Sequence, residues 1–314
     1  MRGILRPEVT IGIPAFNEEK NIQHVLEKIL QQSLPFSFEV IVVSDGSTDS
    51  TAQIVQEVSK IDPSVRLICH RNRMGRTEAL NTIFRELQGE SLVIVSADTV
   101  LHDNSIGHIV APLADPSVGM CWSKLIPVYV SQNLASGLAG LAFQLHDRLS
   151  GKLDATGELV HVTGDVVSMK RELCAQIPGR CVNADEYLSV LTVRMGLRVK
   201  YIRSVLYRAA LPTTISDHVR QRRRWLYGHL QIGRMLGEYP TVLEFVSFRK
   251  PLLPFCIIAE ELLERPRGIP YFLALLFLEL VAGALALQDI LLKREHYSWK
   301  VIESTKRRPI GITS

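Results

Sequence analysis

Three times in succession the chain runs through branched apolar residues, stops on a polar turn and restarts with helical spacing. "VTIGIPAF" is followed by "NEEKNIQHVLEKILQQS", where Ile22, Val25, Leu26, Ile29 and Leu30 recur at the period of one helix face. "FEVIVVSDGSTDST" leads into "TAQIVQEVSKI" and "VRLICH" into "GRTEALNTIFREL"; a fourth run, "SLVIVSADTV", carries Asp98 at its polar end. This alternation predicts an α/β fold. The runs "VIVV" and "LVIV" are apolar on both faces, which suits strands covered by helices on both sides, so a Rossmann-like, mostly parallel sheet is expected. In such sheets ligands bind beyond the carboxyl ends of the strands, where "PAFNEE", "SDGSTDS" and "SADTV" all fall.

With 314 residues the chain can bury a substantial core. A net charge of +4 and a pI near 8.8 are mild beside the concentrated basic footprint of a nucleic-acid binder, and no nucleic-acid partner is expected. The five cysteines are widely spaced and include no CxxC pair, so neither a zinc site nor a disulfide framework is indicated, and a reducing, cytoplasm-facing location follows. Met1–Val9 is short, charged and interrupted by Pro7, unlike a secretory leader. Membrane association must therefore come from later residues.

Between Ala111 and Ala210 the pattern loosens: "GMCWSKLIPVYV" reads as extended, "ASGLAGLAFQLHDRLSG" and "ADEYLSVLTVRMG" as helical, and "LRVKYI" as an edge strand. Ile269–Leu292 is a nearly unbroken apolar run, long enough to cross a bilayer as a helix. Glu279 would cost about 2.5–3.5 kcal/mol at mid-depth, and the surrounding Leu, Ile, Val and Phe, at about −0.3 to −0.6 kcal/mol each, outweigh it. A buried helix, or one lying in the membrane plane, is the alternative. "PLLPFCIIAEELLE" is too short and acidic to span and is expected to be interfacial or re-entrant. Arg265 and Arg267 precede the long run, and Lys293, Arg294 and Lys306 to Arg308 follow it, so charge bias does not orient it.

Several polar clusters offer chemistry, each with a structural alternative. Asp45 ends a strand, and Gly46 permits a tight turn that aims backbone N–H groups at a ligand; the structural alternative is a plain strand-to-helix turn with Asp49 or Ser50 as N-cap of the next helix. Asp98 and Asp103 offer hard oxygen donors for Mg²⁺ or Mn²⁺ bridging a diphosphate. Asp185 and Glu186 open a helix, where the dipole alone favours acids. Arg73 and Arg76 in "NRMGRTEALN" suit a phosphate or an ordinary basic loop. The histidines form no HxH or HExxH pair, and each is expected to be structural. In "QRRRW", Gln221, Arg224 and Trp225 stand at i, i+3 and i+4, with Gly228 one turn on; Arg222 and Arg223 point elsewhere, free to meet solvent or lipid headgroups.

Taken in order from Val9 to Ile232, "IPAFNEE", "VVSDGSTD", "NRMGRTEALN", "SADTV", "TGD", "ADEYL" and "QRRRW" resemble the family 2 inverting glycosyltransferases. These have a GT-A fold, and the resemblance is to the D,D,D,QxxRW type, which includes cellulose, chitin and hyaluronan synthases and lipid-glycosylating relatives. It implies that the backbone of Pro14 and Ala15 with Glu18 borders the nucleotide and that Asp45 holds its base, commonly uracil. Asp98 would be the metal-binding aspartate of the DxD motif, Asp185 the general base, and Gln221, Arg224 and Trp225 the QxxRW group beside acceptor and diphosphate. This sequence departs from the pattern at three points: Ser96 stands at the first DxD position, Ala184 replaces the usual Glu, and Arg76 stands where Lys is common. A serine can still hydrogen-bond the sugar or ribose.

The resemblance further implies a GT-A catalytic domain over 1–212, an acceptor-side interfacial helix over 213–240, and a membrane-associated C-terminal region over 241–314 with a transmembrane helix at 269–292. The expected partners are a nucleotide-sugar, UDP-sugar foremost, a divalent Mg²⁺ or Mn²⁺ ion, a lipid-linked or glycan acceptor, and a membrane with the catalytic domain on its cytoplasmic side. One or two membrane helices are too few to enclose a polysaccharide channel, which places a processive synthase second. A non-catalytic nucleotide-sugar-binding scaffold is the rival that Ser96 and Ala184 suggest.

Overall fold

The computed structural model describes residues 6–129, 131–265 and 268–294. Strands β1 (Val9–Ala15), β2 (Phe38–Asp45), β3 (Val65–His70) and β4 (Ser91–Val95) form where the branched apolar runs predict them. β1 takes β2 and β4 as parallel neighbours, and β3 adds in parallel outside β2. Helices α1 (Ile22–Leu30), α2 (Thr51–Ile61) and α3 (Arg76–Glu86) carry the chain between them. Side chains alternate between two cores: Ile41, Val43, Leu92 and Ile94 pack with α3, whereas Val40, Val42, Val93 and Val95 pack with α1. At roughly 1.5–3 kcal/mol for each buried aliphatic side chain, double-sided burial explains the unbroken apolar runs Val40–Val43 of β2 and Leu92–Val95 of β4.

Beyond β4 the sheet changes character. β5 (Val100–Leu101), β6 (Val118–Val128), β7 (Val166–Lys170) and β8 (Arg198–Ala210) complete the order β3-β2-β1-β4-β7-β6-β8-β5. β7 runs antiparallel to both β4 and β6, β5 is antiparallel to β8, and β6 and β8 are parallel. The expected mostly parallel sheet therefore describes only the first half, and the whole is mixed. β7 is five residues long and is reached from β6 through the long α5 (Leu134–Thr156), so nothing in its own composition fixes its direction. "LRVKYI" is an edge over Arg198–Ile202, where β8 pairs with β6 alone; further on, Tyr207 and Arg208 also pair with β5.

The remaining helices are α4 (Ser105–Val110), α6 (Ala184–Arg194), α7 (Ile215–Leu236), α8 (Leu243–Arg249), α9 (Leu252–Glu264) and α10 (Ile269–Leu291). The Thr214 side chain caps α7 by accepting from the Asp217 N–H, and Gly237 ends it in a left-handed conformation. Ion pairs bind the later helices together. Arg222 meets Glu279 at 2.7 Å and also pairs with Glu244, while Arg223 donates to Asp289 at 2.6 Å. The expectation that Arg222 and Arg223 are free for solvent or lipid is thus corrected: both clamp α7 to α10. In α9, Glu261 pairs with Arg148 of α5 at 2.9 Å and Glu260 with Lys152 at 2.7 Å.

By length and composition α10 could cross a membrane, but its acidic residues seat it along α7. Its outer side is apolar and open, with Phe277 65% and Leu280 66% exposed, and α9 adds Leu263 at 82%. Arg267 and Lys306 to Arg308, like the rest of 295–314 in the expected C-terminal region, lie outside the described residues.

Candidate active site

At the carboxyl ends of β1 and β2 two polar loops are laced together. Asn17, in a left-handed conformation, accepts from the Thr48 N–H at 2.9 Å; the Glu18 N–H donates to Thr51 Oγ1 at 2.8 Å and the Glu19 N–H to Asp49 at 3.1 Å. Glu18 is buried and accepts from Asn21 at 2.9 Å. Asp45 accepts from the Met74 N–H at 2.9 Å and the Gly75 N–H at 2.7 Å and meets His70 Nδ1 at 2.8 Å. Its carboxylate thereby ties the β3–α3 loop to β2 and presents Arg76 as the first residue of α3.

Arg76 reaches across the sheet's carboxyl edge. It donates to Ser96 Oγ at 3.0 Å and to the Gly164 carbonyl. A Cβ at Gly164 would overlap the Asp185 carboxylate, so only glycine lets this base candidate approach the loop. Asp185 sits half-buried in the first turn of α6. Burial pushes its carboxyl above the usual range, with Arg76 pulling it back and Glu186 adding to the rise. A carboxylate with a raised pKa is a stronger base for a hydroxyl proton. Burial, reinforced by the neighbouring charge of Arg76, pulls the Arg224 guanidinium down to about 10 against the opposing pull of Asp185 and Asp165. It remains a cation at neutral pH, and two guanidiniums brought together make a place for a diphosphate.

These groups line a cavity of about 340 Å³ together with Gln221 and Trp225. Trp225 meets Phe143 of α5 edge-to-face, with ring centroids 5.9 Å apart. α7 lies tight on the start of α6: a Cβ at Gly228 would overlap Asn183, whose side chain donates to the Trp225 carbonyl at 3.1 Å. Of the residues expected at the site, Arg76, Asp185, Gln221, Arg224 and Trp225 share this cavity, and Ser96 joins through Arg76. Pro14, Ala15, Glu18 and Asp45 lie along the neighbouring strand ends rather than in its wall. Asp103 is exposed.

Two groups have no role assigned from the sequence. Glu186, directly after the base candidate, is 2% exposed and faces His161 and His229. Burial would lift its carboxyl, but the two imidazoles overcome that and hold it at about 2. Asp165 accepts from the Tyr207 hydroxyl at 3.1 Å and the Ser96 hydroxyl at 3.2 Å; burial raises its carboxyl, and the Asp98 charge adds to the rise. Residues so far apart in the chain show no common spacing, and only the "TGD" triplet marked the second.

The donor set fits a hard divalent ion. Asp98 and the oxygens around Ser96 stand at the end of β4, and among the described residues no three His, Cys, Asp or Glu side chains are arranged to hold a metal ion by themselves. The protein would supply few ligands and leave phosphate oxygens and water to complete the shell, as Mg²⁺ accepts.

A sheet whose parallel half ends in laced polar loops, with an acid and paired arginines beyond its edge, is the GT-A-like architecture of glycosyltransferases. The chain belongs to glycosyl transferase family 2, whose model matches residues 10–174. It is 24% identical over 238 residues to an N-acetylglucosaminyltransferase of Bradyrhizobium diazoefficiens, covering 71% of this chain and 49% of that protein. It is also 24% identical over 234 residues to the probable glycosyltransferase YdaM of Bacillus subtilis, covering 71% and 55%. The chain thus spans about half the length of these curated relatives. Among solved structures, the mannosyltransferase PcManGT from Pyrobaculum calidifontis, in complex with GDP-Man and Mn²⁺, superposes with a TM-score of 0.68 at 22% identity, covering 93% of this chain and 89% of that one. At that identity the likeness establishes the fold.

Proposed function

We propose that this chain is a membrane-associated, inverting hexosyltransferase that moves a sugar from a nucleoside diphosphate sugar to a lipid-linked acceptor. The observation that carries this reading is the course of the cavity. From Asp185 and Arg224 it continues to Ile258 of α9 and to Phe272, Leu275 and Leu276 of α10, beneath the open apolar side of those helices. A polar reacting end and an apolar far end match an amphiphilic acceptor. The charge-paired seating of α10 along α7 favours a helix lying in the membrane plane over a spanning one.

In this mechanism the loops around Asp45 and Glu18 hold the nucleoside, UDP by resemblance, while Arg76 and Arg224 face the diphosphate. A bound Mg²⁺ or Mn²⁺ ion, held by Asp98, would neutralise diphosphate charge. Asp185 takes the proton of the acceptor hydroxyl as that oxygen bonds to the anomeric carbon, and the bond from that carbon to the diphosphate oxygen breaks on the opposite face. One displacement inverts the anomeric configuration. The resemblance of Gln221, Arg224 and Trp225 to a QxxRW group suggests a second reading, a glycan acceptor stacked on Trp225, whose indole lines the cavity.

Incubating the protein in membranes with Mn²⁺ and a panel of UDP- and GDP-sugars, with products identified by mass spectrometry, tests both readings. A glycosylated lipid supports the first, and a lengthening or free glycan the second. Asp185→Asn should lower kcat by about 10²–10⁴-fold while donor binding persists; unchanged turnover would sink the mechanism. For the in-plane helix, Gly268→Cys and Leu292→Cys should be labelled from the same side of the bilayer. Labelling from opposite sides would make α10 a span.

A further inference from the structure

The family's first DxD position is a serine here, and the register of the sheet explains how the site does without that carboxylate. β4 and β7 pair antiparallel, with Val95 opposite Val166, so Ser96, just after β4, stands directly across from Asp165, just before β7. The Ser96 N–H donates to the Asp165 carbonyl at 2.8 Å and continues the ladder by one residue. Side chains directly opposite in an antiparallel ladder share a face, with Cβ atoms about 4.5–5.5 Å apart. A carboxylate on residue 165 therefore reaches the space that a carboxylate on residue 96 would occupy.

The surrounding bonds hold it there. The Ser96 hydroxyl donates to Asp165 Oδ1 at 3.2 Å and Tyr207 donates to Oδ2 at 3.1 Å, so each oxygen takes one neutral donor and keeps a lone pair. Arg76, a neighbouring cation, donates to Ser96 Oγ and the Gly164 carbonyl instead of to this carboxylate. An aspartate at 96 would face Asp165 as a like charge across the pair, which is unfavourable. A serine there accepts from Arg76 and orients the acid opposite.

We propose that Asp165 replaces the missing DxD aspartate, so that Asp98 and Asp165 from two strands together hold the divalent ion of the nucleotide complex. This rests on the transferase reading given above but is tested by binding alone. The probe is Mn²⁺, titrated by electron paramagnetic resonance against the full-length protein with saturating UDP, and again with GDP. Asp165→Asn should weaken Mn²⁺ binding at least tenfold while the melting temperature and circular dichroism stay near those of the parent. The exchange variant Ser96→Asp/Asp165→Asn should recover affinity to within about threefold. Tyr207→Phe, which frees Oδ2 from its orienting hydroxyl, should weaken binding about threefold.

Mn²⁺ affinity within twofold of the parent in Asp165→Asn overturns the proposal, as does a parent protein that binds no Mn²⁺ with either nucleotide. If Asp165→Asn fails to fold, tenfold tighter Mn²⁺ binding in Ser96→Asp/Asp165→Asn than in Ser96→Asn/Asp165→Asn supports the exchange, and equal affinities refute it. Should no sugar transfer be detected with any donor while Mn²⁺ binding still depends on Asp165, the functional reading fails and the ion site stands.

Discussion

The two sides of the cleft, the nucleotide side and the acceptor side of the proposed reaction, are held together by different physics. On the nucleotide side, β1, β2 and the loops after them are joined by neutral or charge-assisted bonds between chain segments about thirty residues apart, such as Glu18 to Thr51 and Asp45 to Gly75. On the acceptor side, α5, α7, α9 and α10 are joined by charge pairs spanning 57 residues for Arg222 to Glu279, 66 for Arg223 to Asp289 and 113 for Arg148 to Glu261. Such pairs contribute little net stability while intact, but each leaves a stranded charge when one partner is lost. The acceptor side should therefore be the more fragile to substitution and to acid, although its helices are longer.

Arg222→Met tests this most severely. It removes one cation from two partly buried carboxylates, Glu244 and Glu279, and should cost about 3–4 kcal/mol in urea unfolding. Arg222→Met/Glu244→Gln/Glu279→Gln should recover much of that loss. If the single substitution costs less than about 1 kcal/mol, the clamp between α7 and α10 is ornamental and the contrast between the two sides collapses.

Acid separates the two sides next. His146 of α5 is held well below its usual range by burial, helped by the charge of His161, and His218 of α7 falls to about 4 through burial and then the charge of Arg222. Both are neutral in the fold and protonate near 6.5 when unfolded. Their stability is complete above that pH and is lost as pH falls from 6.5 through the folded pKa, a loss of up to about 3 kcal/mol for His218 at pH 4. Glu186, held at about 2 against the lift of burial, adds a loss below its usual 4.5. On the nucleotide side the shifted acid is Asp49, which burial raises but Thr51 lowers further, so its contribution fades only below its usual 3.8. Hydrogen exchange at pH 5 should show α5 and α7 opening before β1 and β2; simultaneous opening would contradict the division.

The same contrast explains what could be read in advance. Continuous apolar runs and the 3.6 period are local signals, and they mark β1 to β4 and α1 to α3 because the central strands bury both faces and each helix one. The i, i+3, i+4 spacing puts Gln221, Arg224 and Trp225 on one helix face, and all three line the cavity, where Arg222 joins them. Spacing says which residues share a face but not what that face meets, and so the sequence leaves Arg222 and Arg223 without partners where the fold pairs them with α10. Asp165 was hidden for a related reason: its significance lies in standing opposite Ser96, and the antiparallel turn of β7 that puts it there is set by long-range pairing.

The smallest effect concerns Asp45, which resemblance makes a base-holding residue and the structure makes a brace. Asp45→Asn keeps one acceptor oxygen but turns an NH₂ either toward the Gly75 N–H, which Oδ2 serves, or toward the Met74 N–H and His70, which share Oδ1, so at least one of the three bonds is lost. The loop that presents Arg76 would loosen without the core being touched, and UDP affinity measured by calorimetry should fall about tenfold, or about 1.4 kcal/mol, with little change in unfolding. The nucleoside alone separates the two roles. If Asp45 acts only as a brace, uridine loses less affinity than UDP, because the diphosphate is what Arg76 is proposed to meet. If it holds the base, uridine and UDP weaken by the same factor, and the nucleotide side then owes its specificity to the carboxylate itself rather than to the loop it supports.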